Sequence, residues 1–475
     1  MDPSVASAYA DTHWGEELTD EMALHRRAPN PAEFPEPPHL SDSYWIREFP
    51  IQYEEKWVKV PAPENADVVI IGSGITGAAA AFRLSESRPD LTVALFEARG
   101  LCTGATGRNG GHIGRPEAHD MIRLSETFGV EEALRLRHTG KMNREMMIDT
   151  IERLEATEEV ELSVKGTLVV FENEEERQEF VNDLKCAKEH GLDTEGYLVE
   201  TDWILKKVAI DPSTAQHGGA YLERSGTIYP RKFVALLLEK ALERMKKFTL
   251  HPYTPVSGVL CDPDVADYQY TVVSTKGKTR AKTVLHATNA YASHILPSMS
   301  ENDGVFGCKA HMLGVQPNLQ DTAIQLEGGF GYASFWHWIL QRPNKGPYLH
   351  GFATAEMVGD FNDTITLETT HPARKEMLSF LRKAFPHSFS DQTCEKDVTY
   401  DWTGIQGFTM TGCSIVGRPV ATHRGEFVSV GHNGEGMGRC FACSTVVTDA
   451  ILAQLDGKTD WEPPAWFPHS YRRNM

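Results

Sequence analysis

The chain has 475 residues, 41% hydrophobic and 9% aromatic, enough for two domains with sizeable cores and too apolar for a disordered protein. Forty-seven basic residues against 66 acidic ones give a formal charge of −19, which disfavours nucleic acid and anionic membrane surfaces as partners. No run approaches a membrane span, the N-terminus has no basic stretch leading into an apolar one, and eight scattered cysteines follow no zinc or disulfide spacing, so a reducing cytoplasmic location is expected.

Residues 1–60 read as an arm, rich in Pro and Glu with isolated aromatics such as Tyr44 and Trp45, whose apolar residues are expected to staple it to the body. The run Asp67–Ile71 is a buried strand, and it meets the turn Gly72-Ser-Gly-Ile-Thr-Gly77 and an alanine-rich helix. Gly72 permits the tight turn, Gly74 lets backbone N–H groups approach a pyrophosphate, and Gly77 lets the helix pack closely on the strand. Twenty residues after Gly77, Glu97 closes a second apolar strand, where its carboxylate can accept hydrogen bonds from ribose hydroxyls. Strand, turn, helix and acid together form a dinucleotide-binding fingerprint.

A glycine-rich loop, Gly100–Gly114, follows. Amphipathic helices are expected over residues 130–156 and 174–189, with a strand over Ser163–Glu172 between them. A further helix runs from about Arg231 to Met245, then strands at Tyr270–Ser274 and Thr283–Ala287. Tyr332–Gln341 and Pro347–Phe352 are strand-like. The loop Gly431–Gly438 feeds a last helix, Arg439–Leu455, in which Cys440 and Cys443 stand at i, i+3, read as packing thiols rather than a redox or metal pair.

With these segments placed, the sequence resembles the D-amino-acid oxidase superfamily of flavoproteins, and within it the glycine, sarcosine and γ-glutamylputrescine oxidase-like branch. Four pieces carry the resemblance, in the family's order: the fingerprint with Glu97, the loop Ala105-Thr-Gly-Arg-Asn-Gly-Gly111, the returning strand His286–Tyr291, and the block Trp402–Gly417 followed by Gly431–Gly438. The implied fold is α/β plus antiparallel β: a Rossmann-like FAD-binding domain of the glutathione-reductase type, interleaved with a mixed-sheet substrate domain. The expected boundaries are 61–160, 217–300 and 395–475 for the FAD-binding domain, and 161–216 and 301–394 for the substrate domain.

The resemblance implies FAD rather than NAD, because a second nucleotide-domain segment near the C-terminus closes over a flavin. It implies cofactor contacts at Gly72, Gly74, Ile75, Thr76, Gly77, Glu97, Ala98, Arg99, Thr106, Gly107, Arg108, Asn109, Gly110, Gly111, Val256, Ala287, Thr288, Asn289, Gly404, Gly434, Gly436, Met437 and Gly438. Small residues and exposed N–H groups in Ala105–Gly111 suit close approach of a planar ring. The helix after Gly438 would turn a positive dipole end toward the flavin pyrimidine edge. The roles of His432 and Glu435 are open. Attachment is expected to be non-covalent: no thiol stands near Trp402 and Thr403, where cysteine-linked relatives carry theirs, although Cys413 lies ten residues on. The position used by histidine-linked relatives holds Arg108.

The implied chemistry is oxidation of a C–N bond of a small amine or amino acid, with hydride transfer to flavin N5 to give an imine and then a carbonyl, and O₂ as the expected acceptor. His112, Tyr348 and His350 are the candidate catalytic residues, with turn capping as the plainer reading of His112. Tyr348 and His350 lie near where monomeric sarcosine oxidases place an oxygen-activating lysine, which is missing; Lys309 and His311 are substitutes that cannot be ranked. Alternation puts Phe335 and His337 on one face of a strand and Trp336 and Trp338 on the other, either as an aromatic wall for an amine or as sheet packing. Arg108, Arg115, Arg231 and Arg342 are equal candidates for a substrate carboxylate. No metal or Ser-His-Asp constellation is visible. The alternatives are a flavin dehydrogenase or desaturase that does not use O₂, an aromatic hydroxylase whose further Gly-Asp motif could only be Gly359-Asp360, and a non-catalytic flavin-binding or redox-sensing protein.

Overall fold

The computed structural model describes residues 32, 41, 43–265, 267–300, 304–318, 326–334, 336–352, 363, 366–458 and 460–475. Most of the expected arm, Phe335 and Gly359-Asp360 lie outside the described residues.

The first sheet has nine strands. Its main path runs Arg472–Arg473, Ile415–Gly417, Glu426–Val430, Gly277–His286, Asn65–Ile71, Val93–Phe96, Phe248–His251, and a meander of Val256–Cys261 and Tyr270–Ser274 joins at Gly277–His286. The strand before the glycine turn pairs in parallel with both neighbours, Val69 opposite Ala94 on one side and Val284 on the other. Parallel strands have to be covered on both faces, which explains the unbroken apolar run. Val68 and Ile70 point into a core with the helices Ile75–Ser87, Pro230–Arg244 and Gly436–Leu455, whereas Val69 and Ile71 point into a second core under the meander with Tyr270 and Val272.

The second sheet has eight strands in the order Val398–Phe408, Phe306–Val315, Tyr348–Phe352, His337–Gln341, Gly329–Tyr332, Thr167–Val170, Gly219–Leu222, Gly196–Val199. Its neighbours are antiparallel except for Gly329–Tyr332 beside Thr167–Val170. The helix Pro372–Ala384 packs Met377, Phe380 and Leu381 on one face, against Leu313, Phe330, Ile339 and Tyr348. The Rossmann-like layer and the mixed sheet are thus both as expected.

Two strands depart from the expected segments. Gly219–Leu222 and Val398–Phe408 fall within the stretches assigned from sequence to the nucleotide-binding domain, yet both pair within the second sheet. Val398–Phe408 is fixed there by ten residue pairs of register with Phe306–Val315. The expected single strand Tyr332–Gln341 is two, because Ala333 and Ser334 have φ near +50° and turn the chain into a hairpin. The helices expected at 130–156, 174–189 and 231–245 are observed at Val130–Arg153, Glu174–Glu189 and Pro230–Arg244.

Candidate active site

A cavity of about 460 Å³ is lined by residues of both sheets, from the fingerprint at one end to Trp336 and Trp338 at the other. At the fingerprint, Gly72 has φ +108° and a Cβ there would sit 2.5 Å from the Ala287 carbonyl oxygen. A Cβ on Gly77 would overlap the Gly72 carbonyl oxygen, so both glycines are required by close approach rather than by ligand contact. Gly77 accordingly does not line the cavity, and neither does Gly107, whose missing side chain leaves room for the Cys102 carbonyl. The remaining residues expected at the cofactor all line the cavity: Gly72, Gly74, Ile75, Thr76, Glu97, Ala98, Arg99, Thr106, Arg108 to Gly111, Val256, Ala287 to Asn289, Gly404, Gly434 and Gly436 to Gly438.

Glu97 accepts hydrogen bonds from the N–H (3.0 Å) and hydroxyl (2.7 Å) of Ser73, and from the Arg99 N–H at 3.0 Å. Thr106 Oγ1 accepts from Ile75 N at 3.0 Å, tying the second loop to the first turn of the helix Ile75–Ser87. At the other helix, Asn143 donates to the Met437 carbonyl and accepts from the N–H groups of Phe441 and Ala442. The helix Gly436–Leu455 has no side-chain cap, and a Cβ on Gly438 would meet nothing within 4 Å. Gly438 N donates to the Glu435 carbonyl at 2.9 Å, and the first turn, Gly436 to Gly438, lines the cavity with the positive end of the helix dipole, the arrangement that suits an anionic or electron-rich ligand edge. These features fit FAD: an acid for the ribose, a glycine turn for the pyrophosphate, a second glycine loop, and a helix dipole for the ring. The lining also includes Ala310, Met312 and Trp338 of the second sheet and Trp336 in the turn before His337–Gln341.

His112 lines this end. Its Nε2 lies 3.1 Å from the Ile339 carbonyl, which can only accept, so this hydrogen bond requires a proton on Nε2. Burial pushes its imidazole down to about 4, so it is neutral at physiological pH. His432 also lines the cavity, its Nδ1 3.1 Å from Ser414 Oγ, and burial pushes it down to about 3. Glu435 is held between Arg115 and Arg439.

Two expectations are corrected. Tyr348 and His350 do not reach the cavity, since strand alternation turns them to the face covered by Pro372–Ala384. Tyr348 places its hydroxyl 3.0 Å from Ser388 Oγ among Phe385 and Phe389, and His350 lies 2.9 Å from His337 over Phe380. The alternate residues Leu349 and Gly351 face the other way, and a side chain on Gly351 would overlap the Trp338 indole. Lys309 and His311 likewise lie outside the lining, with His311 on Asp401 at 3.1 Å. Of the four arginine candidates only Arg108 and Arg115 line the cavity; Arg231 donates to the carbonyls of Phe49, Leu101 and Cys102, and Arg342 pairs with Glu161.

The sequence reading missed Arg137, Gly140, Lys141 and Arg144, which bring the helix Val130–Arg153 to the cavity wall. A signal existed, because 137, 141 and 144 share one helix face at i, i+4, i+7. Arg144 reaches Glu117 at 2.5 Å and Glu195 at 2.7 Å, and Lys141 reaches Asp193 at 2.6 Å.

The fold and the lined cavity define a flavin-dinucleotide-binding protein, and comparison with known families agrees. Residues 67–450 match the family model described as DAO, FAD dependent oxidoreductase. The chain belongs to this family of FAD-dependent oxidoreductases. It is 26% identical over 229 residues to gamma-glutamylputrescine oxidoreductase of Escherichia coli (strain K12), covering 48% of this chain and 50% of that protein. The match thus spans half the length of that curated relative. Among solved structures, glycine oxidase from Geobacillus kaustophilus superposes with a TM-score of 0.65 at 19% identity, over 84% of this chain and 97% of that one. L-proline dehydrogenase from P. horikoshii gives 0.65 at 19% identity over 86% and 98%. These superpositions show a shared fold. No helix among the described residues is long and apolar enough to cross a membrane.

Proposed function

We propose that the protein oxidises a C–N bond of an amine or amino acid. The carrying observation is that one cavity joins the dinucleotide fingerprint to a wall of Ala310, Met312 and Trp338 on the second sheet with the adjoining Trp336, leaving a place for an apolar amine beside the reactive end. FAD, held without a covalent bond by the two glycine loops, would supply the two-electron acceptor for a hydride from the substrate α-carbon. The substrate nitrogen loses its proton as the C=N bond forms, and water then converts the imine to a carbonyl and an amine.

The residues present act by positioning and exclusion of water. Trp338 is fixed by donating to Met312 Sδ at 3.1 Å, and its indole fills the space that Gly110 and Gly351 leave open. Neutral His112 adds no charge to compete with a cationic amine approaching the wall. Arg115, on the same side, is the candidate partner for a substrate carboxylate. The names of the relatives support this class, one named for gamma-glutamylputrescine and others for glycine and L-proline.

O₂ is the acceptor we favour, releasing H₂O₂. A dehydrogenase passing electrons elsewhere is the second reading, supported by Lys141 being the one lysine among the described lining residues and being tied to Asp193 and Glu195. The test is the visible spectrum of the purified protein, recorded before and after acid precipitation and then anaerobically with amines and N-methyl amino acids. Bleaching by one compound would establish the reaction; readmission of air with peroxide release would select the oxidase. Bound flavin that none of the panel reduces would overturn the proposal, and flavin retained in the acid pellet would overturn the non-covalent reading.

A further inference from the structure

The loop Thr106–Gly111 is gripped by a short piece of the N-terminal arm and by one tryptophan of the second sheet, none of which lines the cavity. Ser43 Oγ donates to the Gly107 carbonyl at 2.5 Å, Trp402 Nε1 to the Arg108 carbonyl at 2.8 Å, and Trp45 Nε1 to the Asn109 carbonyl at 2.6 Å. Three consecutive carbonyls thus each have a dedicated donor, and all three donor residues are fully buried. Ser41 adds a fourth tie: its hydroxyl accepts from Arg108 Nη1 at 3.0 Å and from Thr403 N at 3.1 Å. Trp45 is itself fixed, with Tyr229 donating to its carbonyl at 3.0 Å and the Arg342 guanidinium 5.0 Å from its ring centroid.

A trans peptide turns its N–H to the side opposite its C=O. Fixing the Arg108 carbonyl through Trp402 and the Asn109 carbonyl through Trp45 therefore turns the N–H groups of Asn109 and Gly110 away from those two indoles, and both residues line the cavity; the Arg108 N–H, beyond the carbonyl that Ser43 holds, donates to the Ala105 carbonyl at 3.1 Å. The three carbonyl contacts differ from ordinary arm packing because each ends on a backbone atom of a loop that contributes to the cavity lining.

We infer that Trp45 is a positioning residue for FAD, setting the orientation of the Asn109–Gly110 peptide through its hydrogen bond to the Asn109 carbonyl, and that Ser43 supports it, accepting from the Trp45 N–H at 3.1 Å while donating to the Gly107 carbonyl. Removing these donors frees the peptides to rotate, so the loop spends time in orientations that cannot donate to the cofactor.

The experiment compares three holoenzymes: Ser43→Ala/Trp45→Phe, which removes two donors and keeps the aromatic packing; Tyr53→Phe, which removes a tie from the same stretch to the Ala235 carbonyl, away from the loop; and the unaltered chain. Flavin fluorescence after dilution gives the FAD release rate, the visible spectrum reports the ring environment, and thermal unfolding at saturating FAD reports the fold. Loss of two hydrogen bonds predicts release about tenfold faster in the double variant. An altered visible band with an unfolding temperature close to that of the unaltered chain should accompany it, and Tyr53→Phe should release FAD at the unaltered rate. An unchanged release rate and spectrum in a folded double variant would overturn the inference. Equal acceleration in Tyr53→Phe would overturn it too, since the effect would then be general tethering. If the double variant unfolds early, Trp45→Phe alone serves, and normal release there is likewise disqualifying.

Discussion

His337 Nδ1 and His350 Nε2 face each other at 2.9 Å across adjacent strands, buried under the helix Pro372–Ala384 with the His337 ring stacked on Phe380 at 4.1 Å. One ring donates and the other accepts, so the contact requires at least one imidazole to be neutral. Desolvation pushes His337 down to about 4 and His350 well below its ordinary value.

Acid should therefore weaken the fold. Between about 6.5 and about 4 the unfolded chain binds protons at His337, His350, His112 and His251 that the folded protein refuses. Each such group contributes a fall in stability of about 1.4 kcal/mol per pH unit as pH drops through that window. Asp183, pushed up to about 6 by burial, works in the opposite sense, as do Glu176 and Glu179, which burial also pushes up. Urea midpoints measured from pH 7.5 to 4.5 should fall on acidification, and replacing both His337 and His350 by Phe should flatten the slope. A flat midpoint in the unaltered chain would contradict this.

Gly77→Ala should abolish FAD binding, because its methyl group would overlap the Gly72 carbonyl oxygen and push the helix off the strand that carries the turn. The ratio of flavin to protein absorbance in the purified variant reads the effect directly, and a normal ratio would show that the turn can relax. By contrast Gly438→Ala meets no atom within 4 Å in the protein, so any loss there reports on the ligand.

This contrast also separates what was legible. Gly72, Gly74 and Glu97 could be read because their conformational and hydrogen-bonding demands are local and recur at fixed spacing. Tyr348 and His350 were misplaced because a strand sequence gives two faces and does not say which is covered by a helix. Arg137, Lys141 and Arg144 were passed over because charges on an amphipathic helix look solvated until the helix's neighbours are known.

Glu435 lies between Arg115 and Arg439 in the cavity lining, with a quarter of its side chain exposed (26%). Glu435→Gln removes the resident anion, so the KM for a substrate bearing a carboxylate should fall by about 3- to 10-fold while that for an uncharged amine stays put. Arg115→Met should do the reverse and raise the carboxylate substrate's KM by about 10-fold or more. Equal shifts for both substrate types would remove Arg115 from the recognition of carboxylates.

Arg99 and Asp363 form an ion pair at 2.8 Å with side chains only 5% and 4% exposed, and Arg99 also lines the cavity. Asp363→Ala leaves the guanidinium buried without its carboxylate, which should destabilise the protein by about 3–5 kcal/mol. Because the pair is shielded from solvent, the loss should change little between low and high salt. Denaturant unfolding at two ionic strengths checks both statements, and a loss below 1 kcal/mol would mean that water or another group takes over.

By itself the sequence determined the dinucleotide turn, its acid, the glycine loops on either side of the cavity and the order of the main helices, since each rests on local stereochemistry or on apolar periodicity. Only the tertiary structure decided that Val398–Phe408 belongs to the second sheet, that Trp338 faces the cavity while His350 faces a helix, and that Ser43 and Trp45 grip the loop Thr106–Gly111. These are relations between residues from 13 to more than 60 positions apart, and they are fixed by sheet register and by competition for buried hydrogen-bond partners, which no single stretch of sequence encodes.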